Sequence, residues 1–309
     1  MTTAWVFPGQ GSQAIGMLAD LATEFSSVQE TFSEASAALG KDLWALAQQG
    51  PEAELSATEN TQPLLLAAGI AVWRTWQAQG GATPQFLAGH SLGEYTALVA
   101  AGVLSLADGV RLVAERGRLM QAAVPAGQGA MAAILGLDDA AVIAACAEAA
   151  QGDVVSAVNF NSPGQVVIAG STAAVERAMA VCKAAGAKRA LPLPVSAPSH
   201  CALMRPAAER LAIHLQTLTF NAPVIPVVQN AAARVEADLT SLQSSLITQL
   251  HSPVLWSQSV QWLAEQGVTR FVESGPGKVL TGLNKRIAKD AEHVSVESAE
   301  SLKAALALV

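Results

Sequence analysis

Gly89-His90-Ser91-Leu92-Gly93 sets a serine between two glycines where an apolar run, Phe86-Leu87-Ala88, meets a helical pattern that starts near Leu92. A strand turning sharply into a helix needs small residues on both sides of the apex, and Gly89 and Gly93 supply them. Such an elbow lifts the Ser91 hydroxyl off the sheet edge and aims the next backbone N–H, that of Leu92, at a developing oxyanion. A serine nucleophile needs a base. His200 follows Ser196-Ala197-Pro198-Ser199, a stiff segment from which a side chain can overhang a cleft, although on its own it reads equally as a structural or solvated histidine. His90 is closer in sequence, but neighbours of an apex point to opposite sides, so it is assigned to packing. His214, His251 and His293 carry no supporting motif and are expected at the surface.

The elements that must position these groups alternate between short apolar strands and amphipathic helices. Trp5-Val6-Phe7 is a strand ended by Pro8-Gly9, and helical stretches follow at Gln13–Leu39 and Thr61–Gln79, with Asn60 or Thr61 as N-cap of the second. The elbow strand, its helix, and a helix from Leu106 to Ala123 come next. This alternation predicts a mostly parallel sheet covered on both faces. From Pro125 to about Val195 the pattern changes to strand Ala130–Leu135, helix Asp138–Ala150, strands Val154–Asn159 and Gln165–Ala169, helix Thr172–Ala185 and strand Lys188–Leu193. That β-α-β-β-α-β order is the ferredoxin-like split arrangement. Afterwards the α/β pattern resumes with a helix at Leu203–Leu215, strand Pro226–Gln229, helices at Thr240–Leu250 and Trp256–Gln266, strand Arg270–Glu273, and a closing helix from Val279. The predicted organisation is therefore a large subdomain of residues 1–124 and 198–309, with a ferredoxin-like small subdomain of residues 125–197 inserted in it.

Composition bounds the alternatives. The chain has 309 residues, 51% apolar and 14% charged, with a net charge of −7 that argues against general nucleic-acid binding. Its longest mainly apolar run, Ala97 to Leu106, falls short of the about 20 residues a membrane span requires. The N-terminus has no basic region or cleavage-type site, so no secretion signal is expected. The three cysteines, Cys146, Cys182 and Cys201, match no metal or disulfide spacing and are expected to be reduced thiols in a cytoplasmic protein. The six tryptophans stand at apolar positions and are assigned to the core. Two lookalikes fail on their residues. Gly9-x-Gly11-x-x-Ala14 imitates a dinucleotide loop, but Pro8 precedes it and no acidic residue closes a second strand at the right distance. Gly275-Pro276-Gly277-Lys278 suggests a phosphate loop, but Val272 stands where its first glycine should be and Val279 where Ser/Thr is required.

Taken together, Phe7-Pro8-Gly9-Gln10-Gly11-Ser12-Gln13, Gly89-His90-Ser91-Leu92-Gly93-Glu94-Tyr95, Pro198-Ser199-His200, Gln249 and Gly275-Pro276-Gly277 resemble the malonyl-CoA:acyl carrier protein transacylases of bacterial fatty-acid synthesis, over essentially the whole chain. The resemblance implies an α/β-hydrolase-like large subdomain with the inserted ferredoxin-like one. It also implies ping-pong transfer of malonyl from malonyl-CoA, through a malonyl-serine, to the phosphopantetheine thiol of acyl carrier protein. By it, Ser91 is the nucleophile, His200 the base, and the backbone N–H groups of Gln10 and Leu92 the oxyanion hole. Arg116 holds the malonyl carboxylate with its two-pronged guanidinium. Helical period alone does not choose among Arg111, Arg116 and Arg118. Gln249 orients His200 where hydrolases place a carboxylate, which would favour transfer over hydrolysis.

No metal or redox cofactor is implied, because a thioester is already activated, and no membrane or nucleic-acid partner; the protein is expected to act as a monomer. A patch of Lys183, Lys188, Arg189, Lys278, Lys285 and Arg286 is the expected landing place for an acidic carrier. The competing reading is a serine thioesterase or hydrolase, but those follow the order Ser, Asp/Glu, His, whereas here His200 precedes Gln249. A non-catalytic carrier-docking module is the other, and the presence of Ser91, His200 and Arg116 speaks against it. The residues before the histidine, Ala197-Pro198-Ser199, look like the fatty-acid type, which favours malonyl over α-branched acyl groups.

Overall fold

The computed structural model describes residues 1–195 and 197–308; Ser196, in the stiff segment before His200, lies outside them. In chain order, β1 (Thr2–Phe7) leads through turns to α1 (Ala19–Glu24), α2 (Ser26–Leu39), α3 (Leu43–Gln49), α4 (Glu52–Leu55) and the long α5 (Thr58–Ala78). The elbow strand β2 (Phe86–Gly89) is followed by α6 (Leu92–Ala100) and α7 (Leu106–Ala123). Then come β3 (Gly129–Leu135), α8 (Asp139–Ala150), β4 (Val155–Ser162), β5 (Gln165–Ser171), α9 (Thr172–Ala184) and β6 (Arg189–Pro192). The chain continues with α10 (Arg205–Leu215), β7 (Val227–Gln229), β8 (Arg234–Val235), α11 (Leu239–Gln249), α12 (Trp256–Glu265), β9 (Val268–Ser274), α13 (Val279–Ile287), β10 (Glu292–Val296) and α14 (Ala299–Leu306).

Two sheets result. The larger runs β10-β9-β1-β2-β7-β8, parallel except for the short β8. Its central strand is buried on both faces, as βαβ crossovers demand. Trp5, Phe7 and Leu87 point into one apolar core with α2, α5 and α7, while Ala4, Val6 and Ala88 point into a second one with Trp256, Val260 and Phe271. The smaller sheet is antiparallel in the order β4-β5-β3-β6, with α8 and α9 covering one face around Ile134, Val142, Ile168 and Val175. This is the mixed α/β, two-sheet architecture the sequence predicted. The two units join where β4 meets the segment after α11: Phe160 N donates to Val254 O (3.0 Å) and Val254 N to Val158 O (2.8 Å). Arg286 on α13 adds a bond to Gln165 on β5 (2.9 Å).

Several element boundaries differ from the expectations. Residues 13–18 form no helix, with Gly16 and Leu18 at positive φ (82° and 61°), and the helical stretch breaks again at extended Phe25. The long helix begins at Thr58 rather than Thr61, and neither Asn60 nor Thr61 caps it. Thr61 Oγ1 instead donates to the Leu55 carbonyl (2.6 Å). Helix α13 does not close the chain; β10 and α14 follow it. The half-buried Glu292-His293-Val294-Ser295-Val296 hides that edge strand behind polar residues.

Candidate active site

The elbow is built on close backbone approach. A Cβ on Gly89 would lie 1.9 Å from the Gly93 carbonyl, and one on Gly93 would lie 2.1 Å from the Phe7 carbonyl. Only glycine permits α6 to start this near the strand ends. Ser91 sits at φ 52°, ψ −107°, a conformation that costs on the order of 1–3 kcal/mol for a residue with a Cβ. Asn230, at the end of β7, holds it there: the Ser91 N–H donates to Asn230 Oδ1 (2.7 Å) and Asn230 Nδ2 donates to the Gly89 carbonyl (2.6 Å). The loop after β1 is drawn against the same turn, since a Cβ on Gly9 would meet the His90 carbonyl at 2.6 Å. That approach brings Gln10, beside Ser91 and Leu92, to the wall of one cleft. Leu92 is the first residue of α6, so its N–H belongs to the uncapped helix N-terminus.

Ser91 Oγ and His200 Nε2 are 2.7 Å apart, and His200 Nδ1 lies 2.7 Å from the Gln249 backbone carbonyl. A carbonyl can only accept, so Nδ1 carries the proton and Nε2 is left to take one from the serine. His200 is itself at positive φ (65°), with its N–H donating to the Leu250 carbonyl (3.0 Å). Burial, and then the nearby Arg116 charge, push the imidazole down from 6.5 to about 3, so it stands neutral as a proton acceptor. Gln249 meets His200 through its main chain and not through its side chain. Its carboxamide is engaged elsewhere: Nε2 donates to the Ser91 carbonyl (2.9 Å) and to Glu94 Oε2 (2.9 Å), and Oε1 accepts from Arg116 Nη2 (2.9 Å).

Arg116 is 1% exposed on the buried face of α7, alongside Val113 and Met120. Its Nη1 donates to Gln62 Oε1 (2.8 Å), its Nη2 lies 3.2 Å from Ser91 Oγ, and its carbon rides 5.1 Å above the Tyr95 ring. Arg111 and Arg118 lie on the outer face, bonded to the Ala38 carbonyl and to Glu115 respectively. Gly117 lets α7 touch the start of α5, where a Cβ would meet the Thr58 carbonyl at 2.7 Å. The cleft that collects these groups measures about 570 Å³ and lies between the subdomains, with Met120, Met131, Val167 and Leu193 among its apolar walls. His90 lines it too, bonded through Nε2 to Asn161 Oδ1 (2.8 Å) and kept neutral by burial, in keeping with its packing role.

Of the remaining histidines, His214 is exposed and pairs with Glu115 (3.1 Å). His293 is not a surface residue as expected: half-buried, it stacks on Phe271 and bonds the Ala288 carbonyl. The cysteines are free and buried. After Gly11 no helix begins until Ala19, which removes the helix N-terminus a dinucleotide would need. At the other glycine loop, Glu297 already accepts from Gly277 N (3.0 Å) and pairs with Lys278 (2.8 Å), so an incoming phosphate would meet a carboxylate. Among the described residues no group of His, Cys, Asp and Glu is arranged to hold a metal ion, and no helix is long and apolar enough to cross a membrane. Within the basic patch, Lys278 is occupied by Glu297 and Arg286 bridges to Gln165, leaving fewer uncommitted cations than charge counting implied. Sequence reasoning missed Glu94, Asn230 and Gln62, the polar residues that hold the reacting ones.

The acyl transferase domain model matches residues 4–303. The malonyl CoA-acyl carrier protein transacylase of Escherichia coli K12 is 61% identical over 305 residues, covering 99% of both chains, and that of Bacillus subtilis 44% over 304 residues, covering 98% and 96%. Among solved structures, an acyl carrier protein S-malonyltransferase from Vibrio cholerae superposes with a TM-score of 0.97 at 60% identity, covering 98% of this chain and 99% of its own. A malonyl-transacylase bound to a holo type II polyketide acyl-carrier protein superposes with a TM-score of 0.99 at 57% identity, covering both chains fully.

Proposed function

The chain belongs to the acyl transferase family, and from that premise we propose that it is an S-malonyltransferase carrying malonyl from CoA to the phosphopantetheine thiol of acyl carrier protein. The observation that carries this is the buried Arg116 guanidinium 3.2 Å from a serine oxygen that is itself 2.7 Å from a neutral imidazole. A nucleophile beside a buried cation suits an acyl group bearing its own carboxylate, which would not enter a cleft unpaired.

Ser91 Oγ attacks the malonyl thioester carbon as His200 Nε2 takes its proton, and the N–H groups of Leu92 and Gln10 receive the oxyanion. Collapse expels the CoA thiolate, to which His200 returns the proton. The carrier thiol then gives its proton to His200, attacks the malonyl-serine ester, and regenerates Ser91 Oγ–H. The Gln249 carbonyl keeps Nδ1–H in place throughout, as the buried acid does in serine hydrolases. Each step exchanges one acyl bond for another and one proton for another, so the substrates suffice without a further cofactor. We place the enzyme in the cytoplasm, where free CoA thioesters and reduced thiols coexist, and divide it into residues 1–124 with 198–309 and residues 125–197. A hydrolase would instead need water as the second acceptor, and it would place a carboxylate where a neutral carbonyl meets Nδ1.

Brief exposure to an equimolar mixture of malonyl-, methylmalonyl- and acetyl-CoA, followed by intact-mass and peptide mass spectrometry, tests the reading. A malonyl adduct on Ser91, discharged by carrier protein faster than by water, is the expected result. An adduct elsewhere, or an acetyl adduct in excess, would overturn it.

A further inference from the structure

Glu94 is the only acid of α6 and has no exposed surface. Its Oε2 accepts from the Asn230 backbone N–H (2.8 Å) and from Gln249 Nε2 (2.9 Å), while Oε1 has no hydrogen-bond partner. An ionised carboxyl only accepts. It therefore compels the Gln249 carboxamide to turn its NH₂ toward Glu94 and its oxygen toward Arg116 Nη2 (2.9 Å), the same nitrogen that lies 3.2 Å from Ser91 Oγ. Glu94 thus stands behind the guanidinium, one side chain removed, as the nearest buried carboxyl to it. The other charged or titratable groups acting on it are few: Glu236 beyond β8, which repels it, and Tyr95, whose ring lies under the Arg116 guanidinium. His200, on the far side of Arg116, is neutral.

We propose that Glu94 is a positioning residue whose ionisation is coupled to the acyl group at Arg116: a malonyl carboxylate binds with uptake of one proton from solvent onto Glu94 Oε1, and an acyl group lacking a carboxylate binds with none. The inference rests on the reading of Arg116 as the carboxylate holder. The empty cleft contains one buried cation and one buried anion. Malonyl adds a second anion, and one guanidinium cannot keep two desolvated carboxylates ionised cheaply. The malonyl group touches the guanidinium directly, whereas Glu94 reaches it only through Gln249 and has an oxygen with no donor, so the proton goes to Glu94. Burial already holds this carboxyl up at about 7 before any ligand arrives, and a neighbouring anion raises it further. Above neutral pH, malonyl binding must then draw a proton in.

Calorimetric titration of the Ser91→Ala protein with malonyl-CoA at pH 8, in two buffers of different ionisation enthalpy, reads the proton directly. The expected uptake approaches one proton, with malonyl affinity falling by up to about tenfold per pH unit above neutrality. In Ser91→Ala/Glu94→Gln the amide oxygen can still accept from Asn230 and Gln249, so shape is kept and charge is lost. Uptake should vanish there, and affinity should stay flat between pH 7 and 9. Acetyl-CoA should show no uptake with either protein, and it carries the comparison should Glu94→Gln fail to fold. Absence of uptake with malonyl-CoA, or equal uptake with acetyl-CoA or with Glu94→Gln, would overturn the coupling. Unchanged malonyl affinity in Ser91→Ala/Arg116→Ala would instead overturn the reading of Arg116.

Discussion

Replacing His200 by asparagine should make the protein less acid-sensitive even as it abolishes activity. The imidazole titrates at about 3 in the folded protein against 6.5 when solvated, because burial and the Arg116 charge disfavour its cation. The folded value is depressed, so the unfolded chain binds the proton first. The contribution of His200 to stability is therefore intact above pH 6.5 and is lost as pH falls below it, until the folded form also titrates near 3. Between pH 8 and pH 4.5 the loss comes to about 3 kcal/mol, most of what the full depression of the imidazole is worth. Urea denaturation of wild type and His200→Asn at pH 8, 6.5, 5.5 and 4.5 isolates the term, because carboxylates shared by both proteins cancel in the difference. The stability gap should move in favour of the variant by about 3 kcal/mol over that range. A gap that changes by less than about 1 kcal/mol would mean that the imidazole is not held neutral, and that the base is stronger than this geometry implies.

Arg116→Ala should lower kcat/KM for malonyl-CoA by about 10²- to 10³-fold while leaving acetyl-CoA turnover within a few-fold, since Gln62 and Gln249, both neutral, lose one hydrogen bond each whereas the malonyl carboxylate loses its charged partner; steady-state kinetics with both donors checks this. Asn230→Ala removes the two bonds that hold Ser91 at positive φ and leaves a buried N–H and C=O unpaired, so about 2–4 kcal/mol of stability should go in a denaturant melt, with a fall in kcat exceeding any rise in KM. Gln249→Glu should leave the ratio of hydrolysis to transfer within about twofold of wild type while both rates fall, because the new carboxylate lands against Glu94 and the Ser91 carbonyl instead of the imidazole. A parallel assay of released malonate and malonyl-carrier would detect the opposite.

The candidate nucleophile was legible because its geometry is local. An elbow is written in five adjacent residues, and glycine at 89 and 93 is the only solution to backbones 1.9–2.1 Å from a would-be Cβ. The elements of the second sheet were legible for a related reason: strand and helix periods alternate there without long connections. Arg116 was ambiguous from helical spacing, yet a signal existed. Gly109, Val113, Arg116 and Met120 form one stripe of α7, all buried, so the arginine that interrupts an apolar face was the one to suspect. What could not be read were contacts between residues far apart in the chain. Asn230 meets Ser91 across 139 residues and Gln249 meets Glu94 across 155, and no residue spacing signals either contact. The role of Gln249 was mistaken in part because a residue type advertises its side chain, whereas the atom that meets His200 is a main-chain carbonyl that any residue there would carry.

The electrostatics of this arrangement explain why a serine–histidine pair here can favour thiols over water. A carbonyl behind Nδ1 offers no full charge to an imidazolium, and Arg116 opposes one, so His200 is a weak base in the empty site. A weak base discriminates by acceptor: a thiol ionises near 8.5 and water near 15.7, a difference of roughly 7 units that the base must make up when water attacks. The right substrate changes this balance. A malonyl carboxylate in direct contact with the guanidinium, replacing the more distant charge of Glu94, offsets part of what opposes the imidazolium, so His200 is a somewhat stronger base with malonyl than with an uncharged acyl group, yet remains far weaker than one backed by a carboxylate. Selectivity for the acyl group and the strength of the base are then set by one cation, and Glu94 and Gln249 matter because they decide where that cation points and how much of its charge remains.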